Sequence, residues 1–374
     1  MWNMLVLEDA CLLISRGISP KYLEAGGVRV LNQKCIRNHT IDYSLARRHD
    51  ISKKSVKPER FIQKGDVLIN STGHGTLGRV AQVRDEPDEL TTVDSHVTIV
   101  RPKPEFFYLD YFGFAAIFIE DEIKAAGQGT SGQTELSKTK LKEEFSVSFP
   151  TDFEEQQRIV AKLDAAFAEI DSAIFANACN IIKANEIFSQ YLSNVETDNL
   201  PLEKLINIKT GKLDSNAMVE NGEFPFFTCS REIYSIDKFA FECDAVLLAG
   251  NNASGDFNVK HYEGKFNAYQ RTYVLTVVDS NSLRSRYLYF QLINALSKFK
   301  KMSVGAGTKF LKIGMIRSLE IPLPPIIAQD KILVKLEKLL KLSEELHTAY
   351  NGKARQLSSL KSAILAQELK GEAA

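Results

Sequence analysis

Apolar positions along this chain follow two rhythms. From Phe153 onward they recur every three or four residues, at Leu163, Phe167, Ile170, Ile174, Ile181, Ala184, Phe188 and Tyr191. That spacing makes a heptad seam, with Asn177 as its polar interruption. No Pro or Gly falls between Phe153 and Glu196, so the spacing predicts one unbroken helix. At about 1.5 Å per residue such a helix is roughly 60 Å long, the length of a spacer. The rhythm returns near the C-terminus through Leu336, Leu339, Ser343, Leu346, Tyr350, Leu357, Leu360 and Ile364, with Gly352 as a weak point. Both helices also begin alike: Arg158, Ile159, Val160 and Leu163 answer Lys331, Ile332, Leu333 and Leu336.

Elsewhere the apolar runs are short and bounded by turn residues. Strands are predicted at 67–69, 77–83 and 97–100, and a buried helix at 108–119. Region 198–325 repeats this order. Segment 244–248 answers 66–70, 273–277 answers 97–100, Tyr287 falls opposite Tyr108, and Gly305-Ala-Gly-Thr308 answers Gly127-Gln-Gly-Thr130. An internal repeat of this length decides the architecture. The expected fold is α/β (α+β): two globular domains, 1–150 and 197–325, separated by two long antiparallel coiled-coil helices, 151–196 and 326–374, in a pseudo-twofold repeat.

Composition agrees with this picture. A chain of 374 residues, 44% apolar and 25% charged, fits a globular protein of two or more domains. No stretch approaches the roughly 18 apolar residues of a membrane span, and the first residues lack the pattern of a secretory leader, so a cytoplasmic location is expected. Five scattered cysteines without a Cys-x-x-Cys pair read as reduced thiols, and six scattered histidines show no metal-ligand spacing. The 47 basic and 47 acidic side chains cancel overall but not locally. Segment 151–196 holds three basic and eight acidic residues, while 326–374 holds eight and six, a bias that favours pairing of the two helices.

Two segments concentrate positive charge. Residues 47–64 carry seven basic side chains against two acidic, including Arg47, Arg48, Lys53 and Lys54. Residues 298–317 carry six against none, including Lys298, Lys300, Lys301, Lys309 and Lys312. Clustered Lys and Arg suit a phosphate backbone, although a charge run by itself describes a solvated face equally well. Base edges are read by Arg, Asn, Gln, Ser and Thr on turns. Such side chains lie at Ser71, Thr72, His74 and Thr76, at Gln128 and Gln133, at Asn251, Asn252 and Ser254, and at Tyr269, Gln270 and Arg271. Each of these loops also reads as an ordinary capped turn. Lys138 and Lys309 follow the Gly-Thr turns and are further phosphate candidates.

Catalytic signatures do not assemble. The sequence has no Asn/Asp-Pro-Pro-aromatic motif for amino-group methylation and no Gly-x-x-x-x-Gly-Lys-Ser/Thr phosphate loop. Glu122-Ile-Lys124, with Asp94 or Asp110, could be part of a nuclease motif, but such triplets are common at solvated helix ends.

Three features carry a family resemblance that covers essentially the whole chain. They are Gly305-Ala-Gly-Thr-Lys-Phe-Leu311, the junction Ile321-Pro-Leu-Pro-Pro325 feeding Gln329, and its earlier counterpart Phe149-Pro150 leading to Glu155-Gln-Gln-Arg-Ile-Val160. With the closing segment 360–371, the order domain, helix, domain, helix resembles the specificity subunit of a type I restriction–modification system. The resemblance implies a non-catalytic, sequence-specific DNA-binding subunit. It would read a bipartite double-stranded target and dock two methyltransferase subunits, and through them restriction (translocase) subunits. S-adenosylmethionine would then belong to the methyltransferase, and ATP and Mg to the restriction subunit, with no cofactor in this chain. The alternative is a DNA-recognition subunit working with a fused methyltransferase–nuclease outside a type I complex.

Overall fold

The computed structural model describes residues 1–127, 135–195 and 197–370, without the side chains of Asn185 and Phe188. Gln128, Gln133, most of the first Gly-x-Gly-Thr turn and the Phe188 seam position therefore lie outside the described residues. The chain forms two compact units: Met1–Ala176 with Lys353–Ala374, and Asn177–Gly352. Each unit holds one globular body and a part of both long helices.

In the first unit, strands Cys11–Arg16, Val97–Pro102, Val67–Asn70 and Val80–Gln82 form an antiparallel sheet in that order. Both of its faces are covered. Val67, Ile69 and Val80 pack on Tyr111, Phe112 and Phe114 of helix Leu109–Phe118, while Leu68, Ala81 and Ile99 pack on Leu31, Cys35 and Ile36. Double burial is why these strands read as continuous apolar runs rather than as alternations. A smaller sheet runs Thr91–Val93, Val28–Leu31, Arg47–His49 and Tyr22–Leu23. Its approach turn needs Gly27 (φ +64°), because a Cβ there would lie 2.1 Å from the His49 carbonyl oxygen.

The first long helix, Phe153–Ser193, leaves strand Ser146–Pro150, which is paired with Trp2–Val6. Ile159, Val160 and Leu163 bury in the body's core, joined there by Leu365 and Leu369 of the second helix, Ile326–Leu369. The pairing is antiparallel, with Lys162 bonded to Glu368 and Lys361 to Asp171. One seam position is corrected. Leu360 is 47% exposed, and Lys361 takes the inner place, its ammonium 4.7 Å from the Phe167 ring centre. A 3.6-residue helix drifts against a strict 3.5-residue repeat, and the drift has moved the seam by one residue there.

The second unit repeats the frame. Strands Ile206–Thr210, Thr272–Val277, Phe241–Ala249 and Val259–Ala268 lie in the order of their counterparts, and Phe224–Phe227 and Tyr234–Ile236 extend the sheet. Helix Ser285–Met302 covers Val246, Leu248 and Leu275. Asn199–Pro201 pairs with Glu320–Pro322, as Trp2–Val6 does with Ser146–Pro150. Leu192 and Leu336 of the two long helices meet Phe290 of the body. Asn177 is buried within its helix, and Gly352 does not interrupt the second one. Antiparallel pairing predominates in both bodies, so α+β describes the fold. Tyr287 corresponds to Tyr111 rather than Tyr108: both are fully buried, and their hydroxyls donate to the carbonyls of Pro322 and Ser148.

Candidate nucleic-acid interface

Each body is fastened to a long helix by one buried glutamine. The Gln156 amide oxygen accepts from Tyr108 N (2.7 Å), and its nitrogen donates to the carbonyls of Phe106 and Pro150 (both 2.8 Å). Gln329 makes the same three bonds, to Arg284 N (2.9 Å), Ser282 O (2.8 Å) and Pro324 O (2.9 Å). About two turns further on, an arginine of the body meets a carboxylate of the helix. It is Arg84 on Asp164 (3.2 Å) in the first unit and Arg286 on Glu337 (2.5 Å) in the second. The sequence repeat displayed Gln156 and Gln329 at matching junctions, but their role appears only in the structure.

The loops that leave the central sheet are held in the same way in both units. After Val67–Asn70, the Ser71 carbonyl accepts from Leu136 N (2.9 Å), and Thr72 bridges Glu135. After Phe241–Ala249, the Gly250 carbonyl accepts from Leu311 N (2.9 Å), and Asn251–Asn252 pairs antiparallel with Lys309–Phe310. The segment following each Gly-x-Gly-Thr turn is thus laddered to the loop after the sheet's central strand. Backbone bonds fix both, so their side chains are presented from a rigid edge.

The candidate residues fall into three groups. Several are committed inside the fold. Ser71 is not a surface residue: it is 1% exposed and its hydroxyl is bonded to Thr98. Thr76 is bonded to Gln33, and Asn252 accepts from Ser254 N, Ser254 Oγ and Asp256 N, which closes its own turn. Others have their charge offset. Arg48 pairs with Glu89, Lys53 with Asp50 (3.6 Å), and Lys54 donates to the Ser19 carbonyl. Arg47 is exposed and stacks on Tyr22, 3.3 Å from the ring centre. Thr72 is bonded to His96 (2.6 Å), whereas His74 lines a cleft of about 1060 Å³ beside Arg79 and Lys124. Lys138 opens helix Lys138–Glu143 and answers Ile313, the first residue of helix Ile313–Arg317, not Lys309.

The third group converges in the second unit. Gly255 (φ +72°) lies where a Cβ would meet Cγ of Lys300 at 3.3 Å and Cγ of Lys309 at 3.4 Å. Asn251, Ser254, Tyr269, Gln270 and Arg271 belong to the turns around the same ladder. Lys298, Lys300, Lys301, Lys309 and Lys312 have no carboxylate partner among the described residues. Lys298 and Lys301 leave helix Ser285–Met302 on other sides than Lys300, and Lys312 precedes the short helix Ile313–Arg317. Phe310 was missed as a site residue, because nothing in the sequence brings it beside Arg271, whose guanidinium lies 5.3 Å from its ring centre. Nearby Lys260 donates to Ser230 O and Asn258 Oδ1, and burial pushes its ammonium down to about 8.

The Glu122-Ile-Lys124 triplet does not form an acidic site. Lys124 binds Glu120 and Asp121 on its own helix, and the Asp94 carboxylate accepts from His96 N.

Comparison with known proteins places this frame in a family. The profile of the type I restriction modification DNA specificity domain matches residues 16–176 and again 194–353, and the chain belongs to that family. It is 35% identical over 178 residues to the type I restriction enzyme EcoDI specificity subunit of Escherichia coli, covering 48% of this chain and 39% of that protein. The StySPI specificity subunit of Salmonella potsdam is 26% identical over 143 residues, covering 36% of this chain and 31% of the relative. The chain thus spans less than half the length of these curated relatives. A chain from a solved structure of type I R-M complex assembly and conformational transition shares the fold at 19% identity. That match has a TM-score of 0.69 and covers 99% of this chain and 98% of that one. Among the described residues, no helix is long and apolar enough to cross a membrane.

Proposed function

We propose that this chain reads a bipartite double-stranded DNA sequence, one recognition surface on each body, and performs no reaction itself. What supports this most is that each family-matched half presents a laddered loop pair, with free lysines gathered at the second. Lys300 and Lys309 would neutralise phosphates, and the turn side chains would address base edges. Outward faces of the long helices would dock two methyltransferase subunits supplying S-adenosylmethionine, and restriction subunits using ATP and Mg would join through them. A cytoplasmic location follows from that role.

The test is reconstitution. The purified chain alone is expected neither to methylate nor to cut DNA, and adding its methyltransferase is expected to give adenine methylation at one split sequence, which methylome sequencing of the host would report. Metal-dependent cleavage by the lone chain that disappears in Glu122→Ala would overturn the reading.

A further inference from the structure

We infer that Arg271 reads a guanine in the half-site addressed by the second body. The inference rests on the DNA-recognition reading and assigns one residue a base. Many described arginines are tied to carboxylates, as Arg101 is to Asp66 and Arg231 to Asp256. Arg271 has no carboxylate partner among the described residues, and its guanidinium is propped against Phe310, 5.3 Å from the ring centre. An exposed guanidinium held on an aromatic face keeps its fork of donors for an outside acceptor.

The backbone beneath it is fixed on every side. Tyr269 N donates to Phe227 O (2.9 Å), Gln270 N to Leu213 O (2.9 Å), Thr272 N to Tyr269 O (2.8 Å), and Gly250 N to Arg271 O (2.9 Å). Phe310 is held as firmly, since its strand pairs with Asn251–Asn252 and its backbone exchanges hydrogen bonds with Val304. With both backbones held, the ring contact gives the guanidinium a defined starting position, which favours a directional contact over a diffuse one. Lys309 belongs to the same ladder and Lys300 meets it beside Gly255, both of them point charges suited to phosphate. The planar fork of Arg271 matches the O6 and N7 acceptors that guanine shows in the major groove.

Selection from a random-sequence duplex library by the full chain tests this. Wild type is expected to enrich a two-part motif, and Arg271→Ala the same motif with one guanine released to any base. In a fixed duplex, replacing that guanine with 7-deazaguanine, which lacks N7, is expected to weaken wild type by roughly 5- to 150-fold and leave Arg271→Ala unchanged. Phe310→Leu keeps the guanidinium but removes its support, and is expected to lose part of the same discrimination. Persistence of the other half-site in both variants shows that the chain is folded. Uniformly weaker binding with every base preference kept, and a salt slope flattened by about one, would make Arg271 a phosphate contact and overturn the inference. Release of a base other than guanine would overturn it too. A wild-type chain that enriches no motif would remove the DNA-recognition reading itself.

Discussion

The glutamine joints make the most direct prediction about stability. In Gln156→Met the side chain keeps its approximate volume and loses the amide. The Pro150 carbonyl is then left unpaired in a buried position, at a cost of about 1–3 kcal/mol. Tyr108 N and the Phe106 carbonyl are partly buried, and their lost bonds add about 0.5–1.5 kcal/mol each. The sum is about 2–6 kcal/mol. For a unit of this size each kcal/mol lowers the melting temperature by about 2–4 °C, so calorimetry is expected to show a fall on the order of 10 °C. Gln329→Met should give a similar fall, since its three bonds are the same within 0.2 Å. Hydrogen exchange should accelerate at Tyr108 N in the first variant and at Arg284 N in the second. A shift below about 2 °C in either variant, with exchange unchanged, would refute the idea that these amides join body to helix.

Further outcomes follow from neighbouring features. Lys300→Ala with Lys309→Ala is expected to weaken binding of matched and unmatched duplexes alike and flatten the salt slope by about two, measured by titration at several ionic strengths. Arg101→Met strands the buried Asp66 carboxylate and should cost about 3–5 kcal/mol at pH 7 by denaturant titration. That loss should shrink on acidification, because burial already lifts the Asp66 carboxyl above its ordinary range and protonation removes the stranded charge. Burial lowers Lys260 to about 8 from an ordinary 10.5, so between those values the unfolded chain holds more protons and stability rises with pH. Lys260→Met should flatten that part of the stability–pH curve, and an unchanged slope would show that the ammonium is not desolvated.

Much of the fold could be read directly from the sequence. The long helices announce themselves through many uninterrupted heptads, and the central strands through runs such as Val67–Asn70 that are buried on both faces. Features that depend on distant partners were hidden. Arg48 reads as a free cation until the fold brings Glu89 to it, and Ser71 reads as a surface hydroxyl until Thr98 takes its bond. The site was legible as loops but not as geometry. Arg271 and Phe310 are neighbours only because the ladder at Asn251–Asn252 folds one segment back over the other. The glutamines were visible as repeated letters, yet no local pattern says that an amide will take three backbone bonds.

The arginine–carboxylate contacts at the joints have a consequence for how such a chain can change. Asp164 and Glu337 occupy corresponding places on the two helices, but the arginine comes from after strand Val80–Gln82 in one body and from the first turn of helix Ser285–Met302 in the other. The helix therefore keeps a constant socket while each body supplies its own plug. A body transplanted onto the opposite helix would find the glutamine and this counter-charge waiting, but the second body's Arg284 would exchange Asp330 for the uncharged Gln157. Exchanging whole bodies as cassettes would then preserve the two shared joints and leave the Arg284 pair as the contact to be compensated.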